Sequence, residues 1–456
     1  MNPGSLGSAA FRQDHGIAYA YAAGSMYRGI ASRHLVVAMA RAGFLSFLGA
    51  AGMAPDRVAG EIAAIRRELG PDRAFGVNLL SDLQDPAREM ARVELLLGQG
   101  VRLIEASAFV QPTPALVLFH LRGLRRAPDG RVARDTRIIA KLSRPEVASA
   151  LLDPAPEPMV AQLLAAGKVT AEQAELAREV PLCQDLCVEA DSGGHTDRGV
   201  STVLLPAIQA LRDERSTRFP AAQRARVGLA GGIGTPQAVA AAFVMGADFV
   251  TTGSINQCTV ESGISDAVKD RLQQINVQDT AYCPAGDLFE MGALVQVLRK
   301  GVLFPARANK LFALYQAHES WDDIPATTRA QIERTFFRKS ADEVWQETAA
   351  YLQRTGRAAE AGRAARSPKR RMALMFRWYY GYSSRLSLTE PERDLANVQV
   401  HTGPALGAFN QWVKGTALHD WRCRHVDDIA TRLMSEGAAL LSRQARTATA
   451  SKEEVS

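Results

Sequence analysis

Residues 1–255 show a repeating pattern, in which a short apolar run is followed by an amphipathic stretch with the spacing of a helix. Short buried strands that alternate with helices are typical of a parallel sheet, and eight such units predict closure into a (β/α)8 barrel, an α/β fold. The eight predicted strands are Ile17–Tyr21, Phe44–Leu48, Phe75–Leu79, Leu103–Ala106, Ile138–Leu142, Cys187–Ala190, Val227–Ala230 and Phe249–Thr252.

Each predicted strand ends in small or polar residues. The clusters read AAGSM, GAAGM, NLLSD, SAF, KLSRP, DSGGHTD, GGIGT and TGS. Active sites of (β/α)8 enzymes lie at the carboxyl ends of the strands, so we expect the chemistry there. The stretch CVEADSGGHTD, residues 187–197, therefore predicts that two glycines and His195 lie at the mouth of the barrel.

The pattern changes after Asp287, where longer amphipathic segments predict a mostly helical region, beginning with a helix over Leu288–Lys300. Its aromatic cluster, MALMFRWYYGYSS, is interpreted as core. We divide the chain into a barrel, residues 1–286, a helical substrate or cap domain, residues 287–442, and a disordered tail, residues 443–456.

The composition is that of an ordinary globular protein, with 47% hydrophobic and 22% charged residues. No apolar run approaches the roughly 18 residues of a membrane helix, and the N-terminus lacks the pattern of a secretory signal. Five cysteines at irregular spacing favour a reducing compartment and form no metal-ligand pattern. We therefore expect a cytoplasmic protein without a metal.

The net charge is +6, and much of it falls in one basic run that contains a single acid, Glu360. The cations of this run are Arg354, Arg357, Arg363, Arg366, Lys369, Arg370 and Arg371. No aromatic residues interleave with them and no recognition motif accompanies them, so nucleic-acid binding is not expected. Two interpretations stay open: a solvated surface, or a surface that attracts an acidic protein partner.

The strongest motif is RVGLAGGIGTPQAVAAAFVMGADFVTTGS, residues 226–254. Glycines let the backbone approach an anion, and amide groups at a helix start favour negative charge. The ends of the seventh and eighth strands commonly form a phosphate site in such barrels. A plain tight turn is the structural alternative, and a Rossmann fingerprint fits poorly because its glycines are spaced differently. The predicted cradle consists of Gly231, Gly232, Gly234, Gly253 and Ser254.

Three polar residues at strand ends suggest which phosphate-bearing ligand the barrel binds. Asn78 offers a donor and an acceptor to a heteroaromatic edge, and Lys141 can stabilise negative charge on a reduced ring. Together with His195 they favour FMN over a sugar phosphate. Each residue alone is equally compatible with a structural hydrogen bond. We interpret Gly193 and Gly194 as the turn by which the chain passes close to the flavin.

The chain resembles the trans-acting enoylreductases of polyketide and polyunsaturated-fatty-acid synthases (PfaD-type), which belong with the nitronate monooxygenase-like FMN barrels. The resemblance covers nearly the whole chain. It is carried by VEADSGGHTD, GLAGGIGTPQAVAAAFVMGADFVTTGSINQCTVE, SDAVKDRLQQINVQDTAYCPAGDLFEMGA, LFPARANKL, FRWYYG and GPALGAFNQWVKG.

This resemblance implies FMN, NADPH or NADH as the hydride source, and an enoyl thioester carried on an acyl carrier protein. It implies that hydride passes from the nicotinamide through FMN to the β-carbon. It places Gly24, Ser25 and Met26 along the isoalloxazine. His195 becomes the candidate general acid, or the group that stabilises the enolate, with Asp197 or Asp191 to orient it. A histidine that only hydrogen-bonds the flavin or the thioester is the structural alternative. Thr196–Asp197 departs from the wider barrel superfamily, where a small residue often follows the histidine.

Two alternatives are kept beside an enoylreductase. A nitronate monooxygenase would share the barrel but use oxygen, and a non-catalytic docking subunit would keep the barrel for binding alone. An intact set of GGIG, TGS and GGH motifs counts against the docking subunit. A barrel enzyme acting on phosphorylated sugars would not purify with a yellow chromophore. The pathway, the acyl chain and the oligomeric state stay open, with a homodimer as the candidate assembly.

Overall fold

A computed structural model describes residues 1–71, 73–219 and 224–453 of the chain. The chain divides into two compact units. Unit 1 comprises Met1–Ser192, Asp197–Gly263 and Gln411–Ser456. Unit 2 comprises Gly193–Thr196 and Ile264–Asn410. The chain therefore enters unit 2 briefly at His195 and again for the long segment that follows the barrel.

Strands occupy both units. The described residues form β1 Tyr21–Ala23, β2 Leu45–Leu48, β3 Gly76–Leu80, β4 Leu103–Ser107, β5 Leu124–Arg126, β6 Val132–Arg134, β7 Arg137–Leu142, β8 Asp185–Glu189, β9 Gly194–His195, β10 Arg226–Ala230, β11 Val250–Thr252, β12 Thr280–Pro284 and β13 Leu294–Leu298. Eight of them close into a parallel barrel in the order β1-β11-β10-β8-β7-β4-β3-β2. The predicted (β/α)8 barrel is confirmed.

All eight predicted barrel strands are present, and seven lie within a residue or two of the expected bounds. The first is displaced, since β1 begins where the predicted strand Ile17–Tyr21 ends. Ile17 is apolar because it packs against the core at the base of the barrel rather than because it pairs with a neighbouring strand. Periodicity alone does not separate these two reasons for an apolar residue.

The helices begin at recognisable caps. Asp85, Thr113 and Thr235 each accept a hydrogen bond from the backbone N–H three residues later, and a proline occupies the first helical position after each. The α-helices are α1 Ala9–His15, α2 Arg33–Arg41, α3 Pro55–Leu69, α4 Pro86–Gly98, α5 Pro114–Leu121, α6 Pro145–Leu152, α7 Glu157–Ala165, α8 Ala171–Leu176, α9 Ser201–Ser216, α10 Pro236–Val244, α11 Ser254–Gln257, α12 Asp266–Leu272, α13 Phe304–Ala317, α14 Ala326–Ile332, α15 Ala341–Arg354, α16 Ala358–Ala365, α17 Pro368–Thr389, α18 Pro404–Trp412 and α19 Val426–Glu453.

Helix α1 closes the amino-terminal end of the barrel. Its Phe11 stacks on Phe249 with ring centroids 4.2 Å apart. Below the rings, Asp185 is fully buried and accepts hydrogen bonds from His15 Nε2 at 2.9 Å and from Arg226 Nε at 2.5 Å. Arg226 also pairs with Asp14 at 2.7 Å. These ion pairs join α1 to the strands β8 and β10 inside unit 1.

Unit 2 combines helices with a small antiparallel sheet in the order β12-β13-β9. The prediction of a helix over Leu288–Lys300 is wrong, because this segment contains β13. Four successive residues of β13, from Val295 to Leu298, are buried, and a buried run this short fits a strand as well as a helix. The aromatic cluster predicted as core is confirmed: Phe376, Tyr379 and Tyr380 lie in the buried core of unit 2.

The division into units differs from the predicted boundary between residues 286 and 287. Residues 264–286 belong to unit 2, and residues 411–456 belong to unit 1. Helix α19 packs against α10, where Gly437 faces Val239. This helix continues through residues 443–453 of the predicted disordered tail, and residues 454–456 lie outside the described part. Among the described helices, none is both long and apolar enough to cross a membrane.

Candidate active site

Polar side chains gather on neighbouring barrel strands in unit 1. Asn78 on β3 lies beside Glu105 on β4 in the strand register. Its side-chain Nδ2 donates to the carbonyl oxygen of Glu105 at 3.2 Å and to Ser107 Oγ at 3.1 Å. The amide oxygen of Asn78 is thereby aimed away from these two partners, which is the arrangement of a side chain that presents an acceptor to a ligand.

Glu105 is a buried carboxylate that the sequence analysis missed. It is 1% exposed, and it accepts hydrogen bonds from the hydroxyl of Ser25 and from the backbone N–H of Ser25, the latter at 3.1 Å. Gly24, the preceding residue, leaves room for it, since a Cβ there would lie 3.3 Å from Glu105 Oε1. The predicted AGSM loop is therefore anchored on β4 through Ser25. A single charged residue inside the apolar run LIEAS was the signal for this site.

Met26 completes this loop through its backbone. Its carbonyl oxygen accepts from the N–H of Ala31 at 3.1 Å, and a Cβ on Gly49 would overlap that oxygen. The loop after β1 thus packs directly on the loop after β2, where only a glycine fits. The positions of Gly24, Ser25 and Met26 are fixed by neighbouring strand ends.

Lys141 on β7 pairs with Glu189 on β8, with Nζ and Oε1 2.9 Å apart. Burial opposes a charge on Lys141, but the carboxylates of Glu189 and Glu105 outweigh it and raise the pKa of the ammonium group above its ordinary value. Lys141 is therefore a cation throughout the neutral range. Glu189, like Glu105, was not among the predicted site residues.

The loop after β10 has the geometry of a backbone cradle. Gly231 has φ +86, and a Cβ there would lie 2.5 Å from the carbonyl oxygen of Ala190. Gly232 has φ +75 and open space beside it. Among the described residues, no hydrogen bond uses the N–H of Gly232 or Gly234. Helix α10 begins two residues after Gly234, so these N–H groups and the helix start are available to one anion.

The end of β11 and two other strand ends carry unsatisfied polar atoms. Gly253 is exposed with open space beside its Cα, and Ser254 begins α11. Four buried side-chain oxygens at these strand ends have no hydrogen-bond partner within the described structure, and they belong to Ser81, Ser192, Asn256 and Gln257. Buried polar atoms are normally hydrogen-bonded. These strand ends therefore offer backbone N–H groups beside open glycines, the cation Lys141 and unbonded side-chain oxygens. Such a set fits a polar, phosphate-bearing cofactor such as FMN.

Substitution of Gly231 tests how tightly the cradle is built. Gly231→Ala is expected to lower the free energy of unfolding more than Gly232→Ala. An alanine in the left-handed conformation costs about 1–2 kcal/mol at either position, but only at residue 231 does the added Cβ also clash with Ala190. Urea unfolding of both variants measures the difference. Equal losses in the two variants would show that the chain relaxes around Ala190 and that the turn is not tight.

His195 belongs to unit 2, where β9 pairs with β13 through the register of His195 with Val295. Its Nε2 lies 2.9 Å from Asp287 Oδ1. Burial alone would raise the pKa of Asp287, but the hydrogen bond and charge of His195 hold it below its ordinary value. The preceding Gly194 has φ +93, a left-handed conformation that favours glycine and turns the chain into the strand. About two-fifths of the His195 side chain is exposed.

A second histidine lies close to this pair within unit 2. His401 forms a backbone bridge with Val297 on β13, and its Nδ1 lies 3.8 Å from where a Cβ on Gly194 would sit. The side chain of Gln399 contacts His401 Nε2 at 2.8 Å. Burial and the charge of His195 lower the pKa of His401 to about 4, so this ring is neutral at pH 7.

Asp197 has a different environment from the one predicted. Within unit 1 it accepts hydrogen bonds from Ser143 Oγ at 2.6 Å and from Arg144 at 2.9 and 3.0 Å. The hydrogen bond from Arg144 lowers the pKa of Asp197. Asp287 therefore lies within hydrogen-bond distance of the histidine ring, whereas Asp197, one of the two acids expected to orient it, is bonded to Ser143 and Arg144. Asp287 was missed because it is remote from His195 in the chain.

The structure thus brings the predicted barrel residues together at strand ends of unit 1, and it sets the GGH residues in unit 2. The predicted residues in the first group are Gly24, Ser25, Met26, Asn78, Lys141, Gly231, Gly232, Gly234, Gly253 and Ser254. Those in the second group are Gly193, Gly194 and His195. A closed parallel barrel with a glycine cradle at its last strand ends is typical of enzymes that hold a phosphorylated cofactor.

Comparison with known families identifies the family of the chain. The chain belongs to the nitronate monooxygenase family, whose family model matches residues 10–287. A second model, the inserted helical domain of [acyl-carrier-protein] S-malonyltransferase, matches residues 318–397. The enoyl reductase domain of MlnA from the macrolactin cluster of Bacillus amyloliquefaciens has the same fold, with a TM-score of 0.93 and 42% identity over 97% of this chain and 99% of that domain.

Curated relatives are components of biosynthetic systems. The chain is 52% identical to the polyketide biosynthesis protein PksE of Bacillus subtilis and 42% identical to a component of the polyunsaturated fatty acid synthase of a Thraustochytrium species. These alignments cover 96% and 91% of this chain but only 56% and 28% of the relatives. The resemblance to the enoylreductases of polyketide and polyunsaturated-fatty-acid synthases is confirmed.

Proposed function

We propose that this protein is an FMN-dependent enoyl reductase that acts in trans on enoyl thioesters bound to an acyl carrier protein, in polyketide or polyunsaturated fatty acid synthesis. The observation that carries the proposal is its similarity, over nearly the full length of both, to the enoyl reductase domain of MlnA. The polar strand ends of the barrel support it, since they offer the donors and the cation that a flavin needs.

In this proposal the flavin phosphate is held by the cradle of Gly231, Gly232, Gly234, Gly253 and Ser254. FMN, when bound, would accept a hydride equivalent from NADPH or NADH and supply it to the β-carbon of the 2,3 double bond. Asn78 would bind the ring edge, and Lys141 would stabilise negative charge near the ring, a role that its raised pKa supports. Ser25, anchored on Glu105, would fix the loop beside the ring.

Saturation of the double bond also requires one proton at the α-carbon. We assign this proton to His195, whose imidazolium would lose it as negative charge develops on the thioester oxygen. Asp287 would keep the ring in one orientation and favour its protonated form. The partial exposure of His195 allows a new proton to be taken up from water after each turnover.

The proposed partner is an acyl carrier protein. Two of the relatives are named as proteins of polyketide biosynthesis and of a fatty acid synthase, in which intermediates are carried as thioesters. The match of residues 318–397 to a helical domain of an [acyl-carrier-protein] S-malonyltransferase also favours a carrier-bound substrate. Nitronate oxidation is the second candidate, favoured by the family match over residues 10–287.

An anaerobic assay separates these functions. The purified protein is mixed with NADPH and crotonyl-pantetheine, a 2-enoyl thioester, and the flavin spectrum and products are followed. We expect one saturated thioester per NADPH oxidised. Flavin that NADPH reduces but the enoyl thioester never reoxidises would contradict the proposal, and oxygen-dependent turnover of a nitronate would then support the second candidate. A colourless protein that still binds a carrier protein would support a docking subunit.

A further inference from the structure

The basic run of unit 2 contains two different kinds of cation. Arg357 pairs with Glu360 at 2.6 Å, and Arg371 lies 3.3 Å from Asp342 and stacks on Trp345. Lys369 donates to the carbonyl oxygen of His318 at 2.5 Å and sits over the ring of Tyr315. Arg371 and Lys369 thus join α17 to other parts of unit 2, and Arg357 is paired within the first turn of α16.

The other four cations of the run are exposed and form no ion pair among the described residues. They are Arg354 at the end of α15, Arg363 in α16, Arg366 after α16 and Arg370 at the start of α17. They lie on, or directly after, three consecutive helices that pack against each other, α15 on α16 and α16 on α17. We call these four residues the arginine patch.

No acid of the same segment neutralises the arginine patch. Residues 341–371 contain four carboxylates, and each is already bonded within unit 2. Asp342 pairs with Arg371, Glu343 caps α15 through Ser340, Glu347 binds Lys339 and Trp378, and Glu360 pairs with Arg357. The patch therefore presents four positive charges to solvent with which no carboxylate of this segment is paired. Tyr351, one turn before Arg354, adds an aromatic side chain that is half exposed.

We propose that the arginine patch, with Tyr351 beside it, is the surface on which an acidic acyl carrier protein docks. This proposal rests on the proposed function, which supplies the class of partner. Acyl carrier proteins are acidic, so the charges are complementary. Arginine presents several donors to a carboxylate, and an exposed tyrosine beside it is the kind of residue on which binding energy concentrates. Charge at such a rim acts mainly on the association rate.

A paired comparison tests the patch. Arg363→Glu/Arg366→Glu reverses two patch charges, and Arg67→Glu/Arg102→Glu makes the same change on exposed residues of unit 1. Arg67 is the matched control for Arg363, since each lies in the last turn of a helix. The substrates are crotonyl-pantetheine and the crotonyl form of a polyketide-synthase acyl carrier protein domain. We expect the patch variant to lose at least about tenfold in kcat/KM for the carrier substrate and to keep its rate with crotonyl-pantetheine.

The control variant is expected to treat both substrates as the wild type does, and raising the salt concentration should erase the difference between the proteins. Arg363→Gln/Arg366→Gln, which removes charge without reversing it, should give a smaller loss in the same direction. Equal losses with both substrates, or unchanged kinetics with the carrier substrate, would overturn the docking proposal. Thermal unfolding of each variant shows whether the fold is retained.

A binding measurement separates this proposal from the proposed function. Fluorescence anisotropy of a labelled holo carrier domain reports docking without turnover. Suppose that the carrier domain binds in a way that depends on Arg363 and Arg366, but the protein reduces no enoyl thioester. This result would support the docking surface and contradict the proposed reductase function. Reduction of the carrier substrate, together with binding that is unchanged when both arginines are replaced, would support the reductase function and contradict the docking surface. Arginine-dependent binding of a single-stranded oligothymidylate, with carrier binding unaffected, would assign the patch to nucleic acid and overturn the proposal.

Discussion

His195→Ala is expected to lower the rate of enoyl thioester reduction by roughly 10²–10⁴-fold, the range typical of a lost general acid. The flavin content should stay at the wild-type level, because the predicted phosphate cradle and Lys141 belong to unit 1 and the histidine to unit 2. Stopped-flow absorbance separates the two half-reactions: reduction of the flavin by NADPH should be unchanged, and its reoxidation by crotonyl-pantetheine should slow.

The control for this experiment is His34→Ala, which removes an exposed histidine from α2. A second variant, Asp287→Asn, distinguishes a proton donor from a residue that merely packs. Loss of the carboxylate removes the negative charge that favours the imidazolium, so the alkaline limb of the pH–rate profile should move to lower pH. An unchanged reoxidation rate in His195→Ala would remove the histidine from the proposed mechanism.

The largest effect on stability is expected from Asp185→Asn. Asp185 is fully buried between His15 and Arg226, and breaking a buried ion pair by removal of one partner typically costs about 3–5 kcal/mol because the other charge is left uncompensated. Urea unfolding at pH 7 measures the loss. Asp135→Asn is the matched control, since its partner Arg125 is an exposed residue and the pair contributes little.

The pH dependence of the same comparison follows from the pKa of Asp185. Arg226 and His15 overcome burial and hold that pKa far below its usual value. A carboxyl group with a depressed folded-state pKa contributes stability above its unfolded value of about 3.9, and that contribution is lost as the pH falls further. The stability difference between wild type and Asp185→Asn should therefore be largest near neutrality and shrink below about pH 4. A difference independent of pH would point to packing rather than charge.

The barrel was predictable because each of its strands has a local signature. The runs FGVN and GLAGG carry both the apolar strand and the polar or glycine residues that follow it, so neighbouring positions were enough to identify the fold and to predict a cradle. Glu105 and Glu189 were missed because a carboxylate in an apolar strand has no visible role until its partners, Ser25 and Lys141, are known.

The partner of His195 could not be predicted for a different reason. A nearby acid, Asp197, is suitably placed in the sequence, but strand pairing sets His195 against β13 and gives Asp197 to Arg144. The segment that contains β13 has a pattern that predicts a helix. A helix there would not pair with β9, so the pattern gave no reason to place Asp287 beside His195. Long-range pairing of this kind has no signature in the spacing of residues.

The short segment of residues 193–196 belongs to unit 2, and this affects the order in which the parts of the molecule are completed during synthesis. Strand β9 pairs with β13, and His195 bonds to Asp287, and both of these partners are synthesised long after the histidine itself. Closing so long a loop makes β9 a late element in folding. During synthesis, the barrel strands and the proposed phosphate cradle are therefore complete in the emerging chain before the strand partner of β9 and Asp287 have been made. In the proposed mechanism, the residues that would hold the cofactor are thus made before the carboxylate that would orient the proton donor.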